Sequence, residues 1–192
     1  MNLKTLALGD YQTNCHILSN GSEAVVIDPG YESDTILDEL EGLTLKAILL
    51  THGHFDHVGA VKEMVAETGC EVYIHAAEST MPPMMTAGPL YYPRTYAEGD
   101  TIAPISGVEL TVLHTPGHTP GSVCLLCGQD LFAGDTLFAG SCGRVDLPGG
   151  NPTQMMQSLN RRASLQTDYR VHPGHGPATT LAQEKRHNPY LR

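Results

Sequence analysis

His52, His54, Asp56 and His57 fall within six residues of one another, in the segment Thr51-His-Gly-His-Phe-Asp-His57. Before it stands the apolar run Leu45–Leu50, and after it Val58 to Thr68 carries apolar residues at helical intervals and stops at Gly69. A continuous apolar run suits a strand buried on both faces. The chain therefore has to set a dense polar cluster where a buried strand gives way to a helix N-terminus, a junction that often carries function.

Ten histidines in 192 residues are unusual, and most of them cluster in a few short segments. Metal ligation explains such clustering. His52 and His54 are two apart at a strand end, so in extended chain both can point at one ion. Asp56 and His57 follow at the turn, where they can point at a neighbouring ion. One short loop cannot surround two cations, and three further turns offer ligands: Thr115-Pro-Gly-His118-Thr-Pro-Gly121, Ala133-Gly-Asp135-Thr136 and Val171-His-Pro-Gly-His175-Gly-Pro177. Glycine lets backbone approach an ion closely, and proline limits the entropy lost on ordering the turn.

Around these turns the chain alternates β-rich runs and helical patterns. Leu3–Leu8, Cys15–Leu18 and Ala24–Asp28 read as strands, with Asn20-Gly21 as a hairpin-type turn; Asp34 to Leu40 reads as a helix with an Asp as N-cap. Further strands are expected at Val108–Leu113, Ser122–Leu126, Asp130–Ala133 and Tyr169–His172, and helices at Thr153–Leu165 and Leu181–His187. Thr80 to Asp100 reads as a long surface loop. Two βα halves accommodate a sandwich of two sheets with helices on both outer faces, in a single domain spanning residues 1–192.

The formal charge of −10 is spread along the chain, which gives no basic footprint for nucleic acid. The N-terminus shows neither a secretory signal nor a membrane span, and five cysteines without framework spacing fit a reducing compartment, so a cytoplasmic protein is expected. Cys124 and Cys127 lie in a strand-like stretch, where residues three apart point to opposite faces; they read as core. His16, His75 and His187 have no partner motif and read as surface or satisfied core residues. His114, His172 and Asp28 read equally as groups that orient ligands or as strand-end and turn residues.

The ordered set of histidine and aspartate turns resembles the metal motifs of the metallo-β-lactamase superfamily over nearly the whole length, and is most similar to its glyoxalase II-like group. The resemblance implies an αββα four-layer sandwich with the site at one edge between the sheets. It also implies that His52, His54 and His118 hold a first metal, that Asp56, His57 and His175 hold a second, and that Asp135 bridges them. Zinc is expected, with iron and manganese also suited to imidazole and carboxylate ligands.

In that family the activity is hydrolysis of a thioester such as S-lactoylglutathione. Two cations about 3.5–4 Å apart acidify a bridging water, and Asp56 orients the hydroxide. Arg144, in Gly140-Ser-Cys-Gly-Arg-Val-Asp146, matches a basic residue that holds the glutathione carboxylate. Asp146 and Pro177 stand where the family's glutathione-contacting tyrosines fall, and no helical C-terminal domain follows Asn188-Pro-Tyr-Leu191, so the likeness is to the short members. Persulfide dioxygenases, which use one iron held by two histidines and an aspartate, also resemble the sequence, including Gly143-Arg-Val-Asp146.

Overall fold

A computed structural model describes residues 1–90, 92 and 94–191. The first sheet has six strands in chain order: β1 (Asn2–Leu8), β2 (Thr13–Ser19), β3 (Glu23–Ile27), β4 (Thr44–Leu49), β5 (Glu71–His75) and β6 (Arg94–Tyr96). Its first half is antiparallel, and from β3 to β6 it runs parallel. Helix α1 (Ser33–Glu39) makes the β3–β4 crossover, and α2 (Phe55–Val58) and α3 (Val61–Thr68) make the β4–β5 crossover.

The second half contributes β7 (Thr101–Ile105), β8 (Val108–His114), β9 (Val123–Cys127), β10 (Asp130–Gly134), the small hairpin of β11 (Leu137–Phe138) and β12 (Ser141–Cys142), α4 (Pro152–Ala163), β13 (Arg170–Pro173), β14 (Thr179–Thr180) and α5 (Leu181–His187). Its sheet runs β14-β13-β10-β9-β8-β7.

Three apolar cores separate four layers. Ala24, Val26, Ile48 and Leu50 of the first sheet pack outward on Ile36, Val61 and Met64 of its helices. Val25, Ile27, Ala47 and Leu49 face inward, against Leu110, Val112, Leu125 and Phe132 of the second sheet. Cys124, Leu131 and Val171 pack on Met155, Leu159 and Leu181 beyond it. This is the αββα sandwich, and β3 and β4 are apolar on both faces because both faces are covered. Each fully buried large side chain contributes roughly 1.5–3 kcal/mol as an upper figure. Cys124 and Cys127 belong to different cores, as alternation along β9 requires, and all five cysteines are free.

Local chemistry sets the ends of the elements. Asn20 closes the β2–β3 turn by accepting the Ser22 and Glu23 amides on its Oδ1. Asn151 caps α4 by accepting the Gln154 amide, with Pro152 in the first turn.

Several expectations need correction. The helix read from Val58 to Thr68 is two helices, because the Ala60 amide donates to Pro29 O instead of continuing the ladder, and the Gly30 backbone sits where a side chain on Gly59 would stand. The N-cap of α1 is Glu32, in left-handed conformation with no side-chain cap; Asp34 lies inside the first turn. The stretch Thr80 to Asp100 holds a short 3-10 turn at Pro83–Met85 and strand β6, where the Tyr96 hydroxyl donates to Leu50 O. Tyr91 and Pro93 of that stretch, and the terminal Arg192, lie outside the described residues. Strands β5 and β7 are additional: β5 buries Val72 and Ile74 in alternation over only five residues, and β7 carries Pro104, a residue that counts against a strand. No helix among the described residues is long and apolar enough to cross a membrane.

Candidate metal centre

Strands β3, β4, β8, β10 and β13 all end at one edge of the sandwich, and each leads into a turn carrying a polar residue of the site. The sheets meet there: the Val123 amide donates to Thr51 O across the gap. Gly134 packs against Thr51, with φ +47° and no room for a Cβ, which would come 2.3 Å from Thr51 Oγ1. A Cβ on Gly174 would likewise fall 2.3 Å from Asp135 Oδ1.

The structure brings His52, His54, Asp56, His57, His118, Asp135 and His175 together. One buried set is His52, His54 and His118, with His54 Nδ1 2.8 Å from His118 Nε2. The other is Asp56, His57 and His175, with the two Nε2 atoms 3.3 Å apart and Asp56 Oδ2 3.3 Å from His175 Nε2. Asp135 lies between the sets: Oδ2 is 3.4 Å from His118 Nε2 and 3.6 Å from His175 Nε2, and Oδ1 is 3.4 Å from His57 Nε2.

The outer nitrogens fix the tautomers. His118 Nδ1 donates to Arg144 O at 2.7 Å and His175 Nδ1 to Tyr11 O at 3.0 Å, and a carbonyl can only accept. His57 Nδ1 donates to Asp28 Oδ2 at 2.9 Å. The Thr51 hydroxyl donates to Asp28 Oδ2 at 2.6 Å, so at 3.1 Å it accepts from His52 Nδ1. Neutral His52, His118 and His175 rings thus turn lone pairs on Nε2 inward. His52 Nε2, His54 Nε2 and Asp135 Oδ1 are buried with no hydrogen-bond partner among the described residues. A buried orphan acceptor is costly unless something cationic meets it, so these donor atoms fit divalent metal ions.

The charges agree. Burial and the neighbouring imidazoles push the His52 pKa well below its usual range, and burial followed by His118 brings His54 down to about 4, which keeps both rings neutral and able to ligate. Burial opposes charge on Asp135, but His57, His118 and His175 outweigh it and hold the carboxyl well below its ordinary value. Burial opposes charge on His57 and His175 too, but Asp135 and Asp28 raise the first and Asp56 and Asp135 the second, so without a cation these two rings hold protons that a bound cation would displace before their lone pairs could ligate.

Outside the cluster the candidates divide. Asp28, at φ +53°, both turns the chain and orients His57 while accepting the Thr51 amide. His114 stacks on His75 at 4.3 Å and supports the His118 turn by donating to Pro120 O; His172 pairs with Asp130. Neither His114 nor His172 hydrogen-bonds to a residue of the cluster. His16 is buried on the Thr5 hydroxyl, and His187 is exposed. The Arg144 backbone anchors His118, while its exposed guanidinium is held by both oxygens of Asp146 at 2.7 and 2.8 Å, bringing that carboxyl down to about 2.

The residues that hold the turns carry no motif. Asn14 donates to Pro173 O and Gly176 O around His175. Buried Glu184 accepts the Gly140 amide, and Asn188 donates to Phe138 O and Ser141 O. Asn14 and Glu184 are lone polar residues in an ordinary strand and helix, and Asn188 stands at the end of α5, with no spacing to mark any of them.

Residues 8–175 match the family model of the metallo-beta-lactamase superfamily, and the chain belongs to that superfamily of metallo-hydrolases. Within it, the chain is 33% identical to the hydroxyacylglutathione hydrolase GloC of Haemophilus influenzae, over 100% of this chain and 98% of that protein. Among solved structures it is similar to the BLEG-1 B3 metallo-beta-lactamase, with TM-score 0.89, 38% identity and 99% of each chain covered. It is also similar to TTHA1623 in a di-iron-bound form, with TM-score 0.86, 40% identity, and 98% of this chain and 100% of that one covered.

Proposed function

We propose that this chain hydrolyses a thioester of the hydroxyacylglutathione kind at a pair of divalent cations. The observation that carries the pair is Asp135, whose two oxygens face His118 of one set and His57 and His175 of the other. His52, His54 and His118 would hold one cation and Asp56, His57 and His175 the second, with the Asp135 carboxylate lying between the two sets. A neighbour in a di-iron-bound form, matched over 98% of this chain and 100% of its own, supports this, and zinc, iron and manganese all suit the donor set. Bound cations supply Lewis acidity toward a carbonyl and lower the pKa of water to about 7.

The chain's own residues do the rest. Burial opposes charge on Asp56, but His175 and His57 keep its carboxyl ionised, so it can accept a hydrogen bond from the attacking water and aim it. Gly174 closes on Asp135 Oδ1 and Gly143 on the Asp135 backbone carbonyl, and neither leaves room for a Cβ, which holds the carboxylate in place. A thiol leaving group has a free pKa of about 8.5 and departs as thiolate without a strong general acid. The full-length likeness to GloC supports the thioester, and Arg144, one residue beyond Gly143 beside His118, is the group suited to a substrate carboxylate.

A metal-quantified preparation assayed against S-lactoylglutathione and glutathione persulfide tests the reading. Thioester hydrolysis without oxygen uptake is expected. Oxygen consumption with the persulfide and no thioester turnover would replace it with the persulfide dioxygenase reading.

A further inference from the structure

Glu78 belongs to neither set of inward-facing atoms, yet it is fully buried on the one-turn helix Ala76–Thr80 after β5. Its two oxygens reach two different turns of the site. Oε2 accepts the Gly53 amide at 2.6 Å, and Oε1 accepts the Gly121 amide at 2.7 Å. Gly53 stands between His52 and His54, and Gly121 closes the Pro-Gly turn that carries His118. A Cβ on Gly53 would lie 2.9 Å from Oε2 and one on Gly121 2.7 Å from Oε1, so both turns lack the side chain that would keep the carboxylate off their backbones. A buried carboxylate is costly unless its oxygens are matched, and an apolar residue would fill this position more cheaply if filling were its whole role.

We infer that Glu78 is a positioning residue, tying the His52/His54 loop to the His118 turn and so setting the spacing of the first cation's three imidazoles. This rests on the reading that those three hold a cation. Glu78→Gln turns an amide group toward one of the two backbone N–H groups, where donor meets donor. Glu78→Asp is one methylene short and reaches one turn only.

Zinc affinity at each site, by competition with a chromophoric chelator, separates the ideas in wild type, Glu78→Gln, Glu78→Asp and His118→Ala. Both Glu78 variants should bind the first cation about 10- to 100-fold more weakly, with the second site unchanged and kcat lowered at constant KM. Wild-type affinity at the first site, or equal weakening at both, overturns the inference. His118→Ala retaining two tight cations overturns the ligand reading beneath it. If the Glu78 variants do not fold, the Gly53 and Gly121 amide protons of the wild type decide. Far-downfield resonances that move together when the first cation is stripped support the clamp, and ordinary shifts refute it.

Discussion

Arg144 shows how much one residue's surroundings alter its reading. A guanidinium fork on the residue whose backbone anchors His118 suits a substrate carboxylate, but here Asp146 already occupies it, exposed to solvent. A substrate carboxylate has to displace Asp146, and an exposed pair yields readily because water screens it. Arg144→Ala should therefore raise KM for a carboxylate-bearing thioester by roughly 3- to 30-fold, less than an unencumbered charged hydrogen bond would give. Thioesters lacking the carboxylate should be turned over equally by both proteins, and zinc content should stay constant. Equal losses on both substrates would instead indicate a disturbed Gly140–Gly143 turn, and no loss on either would leave Arg144 as a turn residue only.

Elements bring these residues to one edge. Helix α4 is fixed by Asn151, whose side chain accepts the Gln154 amide while its own amide donates to Gly117 O beside His118. Asn151→Ala should cost about 1 kcal/mol, seen as a fall in Tm of about 2–4 °C in metal-loaded protein. An unchanged Tm would show that packing of Met155 and Leu159 alone holds the helix. The elements legible in the sequence were those whose pattern is local: β3 and β4 from apolar runs, the β2–β3 turn from Asn20-Gly21, and α4 and α5 from helical spacing. The histidine and aspartate turns were legible because ligand types recur beside glycine and proline. What stayed hidden depends on distant contacts. The break at Gly59 is imposed by Pro29 and Gly30, β6 by pairing with β5, and the clamps of Asn14, Glu78 and Glu184 by backbone groups far along the chain.

The whole molecule carries its polar cluster within a buried edge, and this shows in its response to acid. Burial, aided by His172, brings the His16 pKa down to about 3, against about 6.5 in an unfolded chain. The unfolded state therefore binds this proton first, so the stability contributed by neutral His16 is present above pH about 6.5 and is lost as pH falls toward 3. Its slope is about 1.4 kcal/mol per pH unit. In metal-free protein, His16→Gln should flatten the decline in denaturant midpoint across that window; an unchanged slope would assign the decline to other groups. The most direct measurement is a titration of metal-free protein with zinc, following S-lactoylglutathione hydrolysis and bound metal together in wild type and Asp135→Ala. Wild-type activity should be absent without metal and reach its plateau only at two equivalents per chain, while Asp135→Ala should bind less metal and stay nearly inactive. A plateau at one equivalent, activity in the metal-free protein, or an Asp135→Ala variant that holds two ions and turns over normally would contradict the bridged pair.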